Sequence, residues 1–265
     1  MARLQNAFKL LVSAKKKAYI GYAMAGFPDV THDLAFARGI LEEADIIELG
    51  VPFSDPIADG PVLQRASERA LTHGGGLKRS LELARSLRQG SDKPILLMSY
   101  LNPLLAMGLE TFAHAAKGAG VDGVVIPDLP PDGDDGFADV MRGAGLDVAF
   151  LIAPTSTPAR LKAVAKVASG FIYVVSVAGV TGERQTFDSR LEKTVSELRK
   201  HSNVPLAIGF GIASPEGAQQ AGRLADGIVV ASTVLKAAQE ASDPDSAVAA
   251  AIERTRTLVR ALKEV

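Results

Sequence analysis

Glu48 and Asp59 stand in one segment, Glu48-Leu49-Gly50-Val51-Pro52-Phe53-Ser54-Asp55-Pro56-Ile57-Ala58-Asp59-Gly60-Pro61. Glu48 interrupts the apolar run Ala44 to Leu49, which reads as a buried strand. Burying a carboxylate costs several kcal/mol unless it is paired, hydrogen-bonded or protonated. Alternation puts Ile46 and Glu48 on one strand face and Ile47 and Leu49 on the other. With the Glu48 face inside an apolar core, its pKa rises, giving an acid that lends a proton near neutral pH and takes it back. A structural glutamate would instead pair with a buried Arg or Lys, and no neighbouring predicted strand ends in one. Asp59 precedes Gly60-Pro61 at a helix entry, so spacing alone leaves helix capping and acid–base work equally open. Asp55, inside Ser-Asp-Pro, reads as a turn residue.

A second group of residues suits an anion. Gly179-Val180-Thr181-Gly182, Gly209-Phe210-Gly211 and Ala231-Ser232-Thr233 each follow a predicted strand, and the last opens a helix. Glycines let backbone N–H groups approach a phosphate, and a helix N-terminus supplies a positive field. Each motif alone is an ordinary turn; three together at successive strands point to a phosphate site. Tyr173, among Ile172, Val174 and Val175, is either core or a hydroxyl beside substrate.

The elements that must position these residues repeat one rhythm of apolar strand, Gly/Pro/Asp-rich loop and helix. Eight strands are expected: Ala18–Ala23, Ile46–Leu49, Ile95–Ser99, Gly123–Ile126, Val148–Ile152, Ile172–Ser176, Leu206–Gly209 and Gly227–Val230. Helices are expected at Leu34–Glu43, Val62–Leu71, Leu77–Arg88, Ala159–Ala168 and Leu191–Lys200. Nearly continuous apolar strands fit a parallel sheet covered on both faces. Eight such units in 265 residues argue for a (β/α)₈ TIM barrel. A doubly wound sheet would show a glycine fingerprint after its first strand, where Ala25-Gly26-Phe27-Pro28-Asp29 stands instead. No linker divides the chain, so residues 1–265 read as one domain, with Gly74-Gly75-Gly76 ending a helix. In a barrel, function collects where strands end at their C-terminal side.

A short extra helix, Leu4 to Val12, precedes the first strand, with Leu4, Phe8, Leu11 and Val12 on one face. Its surroundings hold Arg3, Lys9, Lys15, Lys16 and Lys17 and no acid before Asp29, as a transit peptide would; the helix reading is preferred because the first strand follows at once. Net charge is −1, which marks no nucleic-acid or anionic-membrane binder. The absence of cysteine excludes disulfides, thiolate catalysis and cysteine metal sites, and fits the cytoplasm. His32, His73, His114 and His201 lack ligand spacing, and Asp132-Gly133-Asp134-Asp135-Gly136 lacks the positions of a calcium loop, so no metal is expected. Leu101-Asn102-Pro103-Leu104-Leu105-Ala106-Met107 reads as an apolar rim loop. With the proline-rich loops at Pro52–Pro56 and Pro127–Pro131, it suggests a protein contact on the active-site face.

On these residues the chain resembles the tryptophan synthase alpha subunit, through nearly its whole length. The markers are Glu48 to Pro56 with Ala58-Asp59-Gly60-Pro61, then Tyr100-Leu101-Asn102-Pro103, Pro127-Asp128-Leu129-Pro130, Gly179-Val180-Thr181-Gly182 and Gly209-Phe210-Gly211-Ile212. The resemblance implies cleavage of indole-3-glycerol phosphate to indole and D-glyceraldehyde 3-phosphate, without metal or organic cofactor. It implies docking on a pyridoxal-phosphate beta subunit in an alpha2beta2 heterotetramer. It makes Glu48 the acid–base residue and Asp59 its partner, with Tyr173, Gly182, Phe210, Gly211 and Ser232 around the substrate and Thr181 on a mobile loop. It turns Pro52, Asp55, Asn102, Pro103 and Asp128 toward the beta subunit. Ala231 departs from a glycine common before the phosphate-binding Ser, and Val177 from an arginine some members carry. A standalone lyase, a mainly regulatory phosphate-binding subunit and another phosphosugar barrel enzyme stay open on the residues alone.

Overall fold

In the computed structural model, residues 2–176 and 189–265 are described. Among the described residues, nine parallel strands make one sheet: β1 (Ala18–Met24), β2 (Ile46–Gly50), β3 (Ile95–Met98), β4 (Gly123–Val125), β5 (Asp147–Ala149), β6 (Leu151–Ile152), β7 (Ile172–Val175), β8 (Leu206–Gly209) and β9 (Gly227–Val230). Their order is β5-β4-β3-β2-β1-β9-β8-β7-β6. The two outermost strands are consecutive pieces of a single extended segment, parted by Phe150. β5 pairs with β4, and from Phe150 onward the segment turns to β7, whose Tyr173 N–H donates to the Phe150 carbonyl at 3.0 Å. The sheet thus closes as the expected TIM barrel. The expected fifth strand is present in two parts because it changes partners midway.

Helices cover the outside of this sheet. The five expected ones occupy Asp33–Glu43, Pro61–Thr72, Leu77–Arg88, Pro158–Val167 and Ser189–His201. Proline in the first turn starts several helices, where its missing N–H loses no bond. Thr157, Ser214 and Asp243 cap the helices beginning at Pro158, Pro215 and Pro244, accepting from Arg160, Gly217 and Ser246 N–H groups. Gly74 and Gly76, at φ +85° and +152°, end the helix before Leu77 as expected.

The N-terminal helix, Arg3–Ser13, lies across the floor of the barrel. Leu4 and Phe8 are buried, Phe8 sits 5.9 Å from Phe171, and Arg3 and Gln5 reach Asp122 and Asp147 below β4 and β5. Val12, expected on the inner face, is 54 % exposed. At about 100° per residue it lies about 80° around the helix from Leu4, whereas Phe8 and Leu11 stay close to that line.

Residues expected to form an apolar rim loop instead form a helix, Leu101–Met107. Leu104 is fully buried and Leu101 and Met107 pack on the core, leaving Leu105 51 % exposed. Most of the apolar surface read as partner-facing is satisfied within the chain.

Candidate active site

Register decides where Glu48 points. Tyr22 of β1 pairs with Glu48 of β2, and Glu48 with Leu96 of β3, so all three share the interior face. Glu48 is 3 % exposed, and its Oε2 has no hydrogen-bond partner among the described residues. Met98, Val125, Leu151 and Val229 line the same cavity. Burial, reinforced by the nearby Asp59 charge, pushes the Glu48 carboxyl up to about 8.

Asp59 does not cap a helix. The cap position before Pro61 is Gly60, and no side chain bonds there. The loop is pinned instead by its backbone: Asp59 N–H donates to Pro56, Gln64 Nε2 to the Asp59 carbonyl at 2.8 Å, and Ala58 N–H to the Tyr100 hydroxyl at 3.0 Å. Asp59 Oδ1 is buried and has no hydrogen-bond partner among the described residues. Burial raises its pKa to about 6, and a hydrogen bond from Tyr100 draws it partly back. Of the two carboxyls in this chamber, one holds its proton near neutrality and the other largely loses it. That division is the one acid–base chemistry requires.

Two phenols without a role assigned from the sequence complete this end. Tyr22 is held fully protonated by burial and by the Asp59 and Glu48 charges, and Tyr100 is shifted the same way, foremost by burial. Tyr173 is driven upward by burial, then Glu48, then Asp59, and its ring stands edge-on to Phe210 at 6.0 Å. No local sequence signal marks Tyr22, because its pairing with Glu48 is a matter of strand register. Two glycines make room for these rings. A Cβ at Gly50 would fall 1.8 Å from the Tyr22 hydroxyl, and one at Gly209 would fall 2.3 Å from that of Tyr173. Gly209, expected to serve a phosphate, thus has a packing role.

The same cavity, about 550 Å³, runs on to Phe210, Gly211, Ala231, Ser232 and Thr233. Phe210 and Gly211 both take left-handed backbone, at φ +69° and +71°, and the Ser176 hydroxyl donates to the Phe210 carbonyl. Ala231 has φ −123°, outside the left-handed region that favours glycine, so its methyl group imposes no glycine-type strain. Helix Ser232–Gln239 begins next, and the N–H groups of its first residues precede the first intrahelical bonds, made by Val234 and Leu235 to the Ala231 carbonyl. Val177, Gly179, Thr181 and Gly182 lie outside the described residues.

Of the residues expected at a partner surface, Asn102 and Asp55 are exposed and Pro103 is half-buried. The Ser54 hydroxyl donates to Asp55 at 2.5 Å. Pro52 is buried against Gly75. Asp128 accepts from the Leu101 N–H at 3.0 and 3.3 Å, which caps helix Leu101–Met107. Ile57 is 82 % exposed. Each of the four histidines bonds a residue within four positions of itself, and no metal-holding group of His, Asp or Glu occurs among the described residues.

Residues 8–263 match the family model described as tryptophan synthase alpha chain. The chain belongs to that family. The tryptophan synthase alpha chain of Deinococcus radiodurans is 44 % identical over 242 residues, 91 % of this chain and 90 % of that one. The one from Cupriavidus pinatubonensis is 43 % identical over 267 residues, covering 100 % and 98 %. A crystal structure of tryptophan synthase subunit alpha from Legionella pneumophila superposes with a TM-score of 0.91 at 33 % identity, over the whole of both chains. As a tryptophan synthase alpha chain, this protein is a carbon–carbon lyase of tryptophan biosynthesis that cleaves indole-3-glycerol phosphate to indole and D-glyceraldehyde 3-phosphate. No helix among the described residues is long and apolar enough to cross a membrane.

Proposed function

We propose that Glu48 carries both proton transfers of this cleavage and that Asp59 stabilises the indole ring as it becomes positive. Glu48 gives its proton to ring carbon C3, leaving an electrophilic iminium in the ring. The resulting glutamate then takes the side-chain hydroxyl proton. The oxygen lone pair forms the aldehyde carbonyl, and the C–C bonding pair flows back into the ring and neutralises it. Indole and D-glyceraldehyde 3-phosphate leave, and Glu48 ends as it began. Asp59 accepts the ring N–H, whose acidity rises with the ring's positive charge. The observation that carries this reading is the buried Glu48 carboxyl, its Oε2 without a partner among the described residues, sharing one chamber with Asp59.

Tyr173 and Phe210 flank the indole, and the backbone around Gly211, Ala231 and Ser232 receives the phosphate; Thr181 and Gly182 join this group on the resemblance alone. The partner is a pyridoxal-phosphate beta subunit in an alpha2beta2 heterotetramer in the cytoplasm, which receives the indole. Exposed Ile57 and Leu105 support an apolar contact on this rim, with Pro52, Asp55, Asn102, Pro103 and Asp128 in or beneath it. Residues 1–265 act as one domain.

The test is Glu48→Gln, assayed for indole release from indole-3-glycerol phosphate, with and without beta subunit. Turnover is expected to fall at least about 10²-fold while substrate binding is kept. Near-normal cleavage by this variant overturns the assignment.

A further inference from the structure

Arg254 stands on the long helix Pro244–Leu262, outside every motif discussed so far, yet it lines the same cavity as Gly211 and Ser232. Its Nε donates to Thr233 Oγ1 at 2.9 Å, and its Nη2 donates to the Ala213 carbonyl. Thr233 lies in the first turn of helix Ser232–Gln239, and Ala213 follows Gly211 in the loop leaving β8. One planar group therefore joins two separate βα loops in the wall of the chamber. Such a fork holds two acceptors at a fixed separation, which a flexible lysine does not.

Its charge is also uncommitted. Among the described residues, no carboxylate forms an ion pair with Arg254. Arg256, on the same helix, is bound by Glu43 and Glu253, and Lys236, also in the cavity wall, pairs with Glu240 at 3.8 Å. A guanidinium satisfied by neutral oxygens keeps its full field for an approaching anion.

We propose that Arg254 is a positioning residue for the substrate phosphate. It sets the spacing between the β8 loop and helix Ser232–Gln239, and its charge favours the phosphate dianion. This rests on the reading that the phosphate lies against Gly211 and Ser232.

The experiment compares the full-length wild type with Arg254→Met, Arg254→Lys and Thr233→Val. Each is assayed on indole-3-glycerol phosphate and on its dephosphorylated form, with inorganic phosphate as competing inhibitor, and each Tm is recorded. Arg254→Met is expected to raise KM for the phosphorylated substrate about tenfold with kcat within about twofold. It should weaken phosphate inhibition in parallel and leave the dephosphorylated substrate unaffected. Arg254→Lys should recover part of the loss, since it keeps the charge. Thr233→Val should show a smaller KM rise with Arg254 intact. Equal losses on both substrates, or unchanged KM beside a lowered Tm, would show a packing role and overturn the inference. If inorganic phosphate fails to compete even in the wild type, the phosphate reading itself falls, and this inference with it.

Discussion

Glu48 and Asp59 make opposite demands on pH, and the product of those demands is measurable. The acid form of Glu48 is lost as pH rises through about 8, and the Asp59 carboxylate is lost as pH falls through about 6. A plot of log kcat/KM against pH is therefore expected to be bell-shaped, with limbs near those two values belonging to the interacting pair. Stability carries the same signature. The unfolded chain releases the Glu48 proton near its ordinary value of 4.5, whereas the folded chain keeps it to about 8. Folding therefore has its full benefit from this group below 4.5 and loses it steadily as pH climbs to 8. Glu48→Gln removes that slope, so its Tm should fall less than that of the wild type between about pH 5 and pH 8. Asp59→Asn is the milder lesion, because an amide oxygen still accepts a ring N–H. A loss of about 10- to 100-fold in kcat is expected, and a loss as deep as that of Glu48→Gln would show that Asp59 itself moves a proton. Glu48 was legible in the sequence because an acid inside an apolar run is chemically conspicuous. Tyr22 was not, because tyrosine in a strand is ordinary and its role arises only from pairing with Glu48 across β1 and β2.

The elements show where sequence patterns are ambiguous. All eight expected strands are present within a residue or two, since each is an apolar run between turn-forming residues. The fifth is parted because partner choice is a property of the closed sheet, which a local pattern does not carry. Leu101–Met107 misled because Asn102-Pro103 resembles a turn, yet proline in a first helical turn breaks no hydrogen bond. The helix is secured from another loop, by Asp128. Asp128→Ala is expected to cost about 1 kcal/mol, lowering Tm by about 3 °C, and to raise amide exchange specifically in Leu101–Met107. Protection of that helix equal to wild type would leave Asp128 free for a different role.

At the scale of the molecule, the barrel has a floor as well as a rim. Helix Arg3–Ser13 closes the end away from Glu48, with Phe8 on Phe171 and Leu4 filling the space above Gly170. Phe8→Ala is expected to remove roughly 3 kcal/mol and lower Tm by roughly 10 °C while KM stays unchanged, which urea melts and steady-state kinetics check together. A rise in KM would mean that the floor communicates with the chamber. The overall fold could be anticipated because parallel strands buried on both faces leave an unmistakable apolar rhythm. The wall of the chamber could not, because Arg254 comes from a helix far along the chain and its neighbours are brought to it by closure alone.

The in-register pairing of Tyr22, Glu48 and Leu96 carries a final consequence. If β2 slid by one residue against its neighbours, Glu48 would swing into the surrounding helical layer and Ile47 would replace it inside. Such a misassembled cylinder would be strained and inert at once. With Glu48 in its proposed role, turnover by a freshly refolded sample therefore counts the molecules whose second strand found its correct seat.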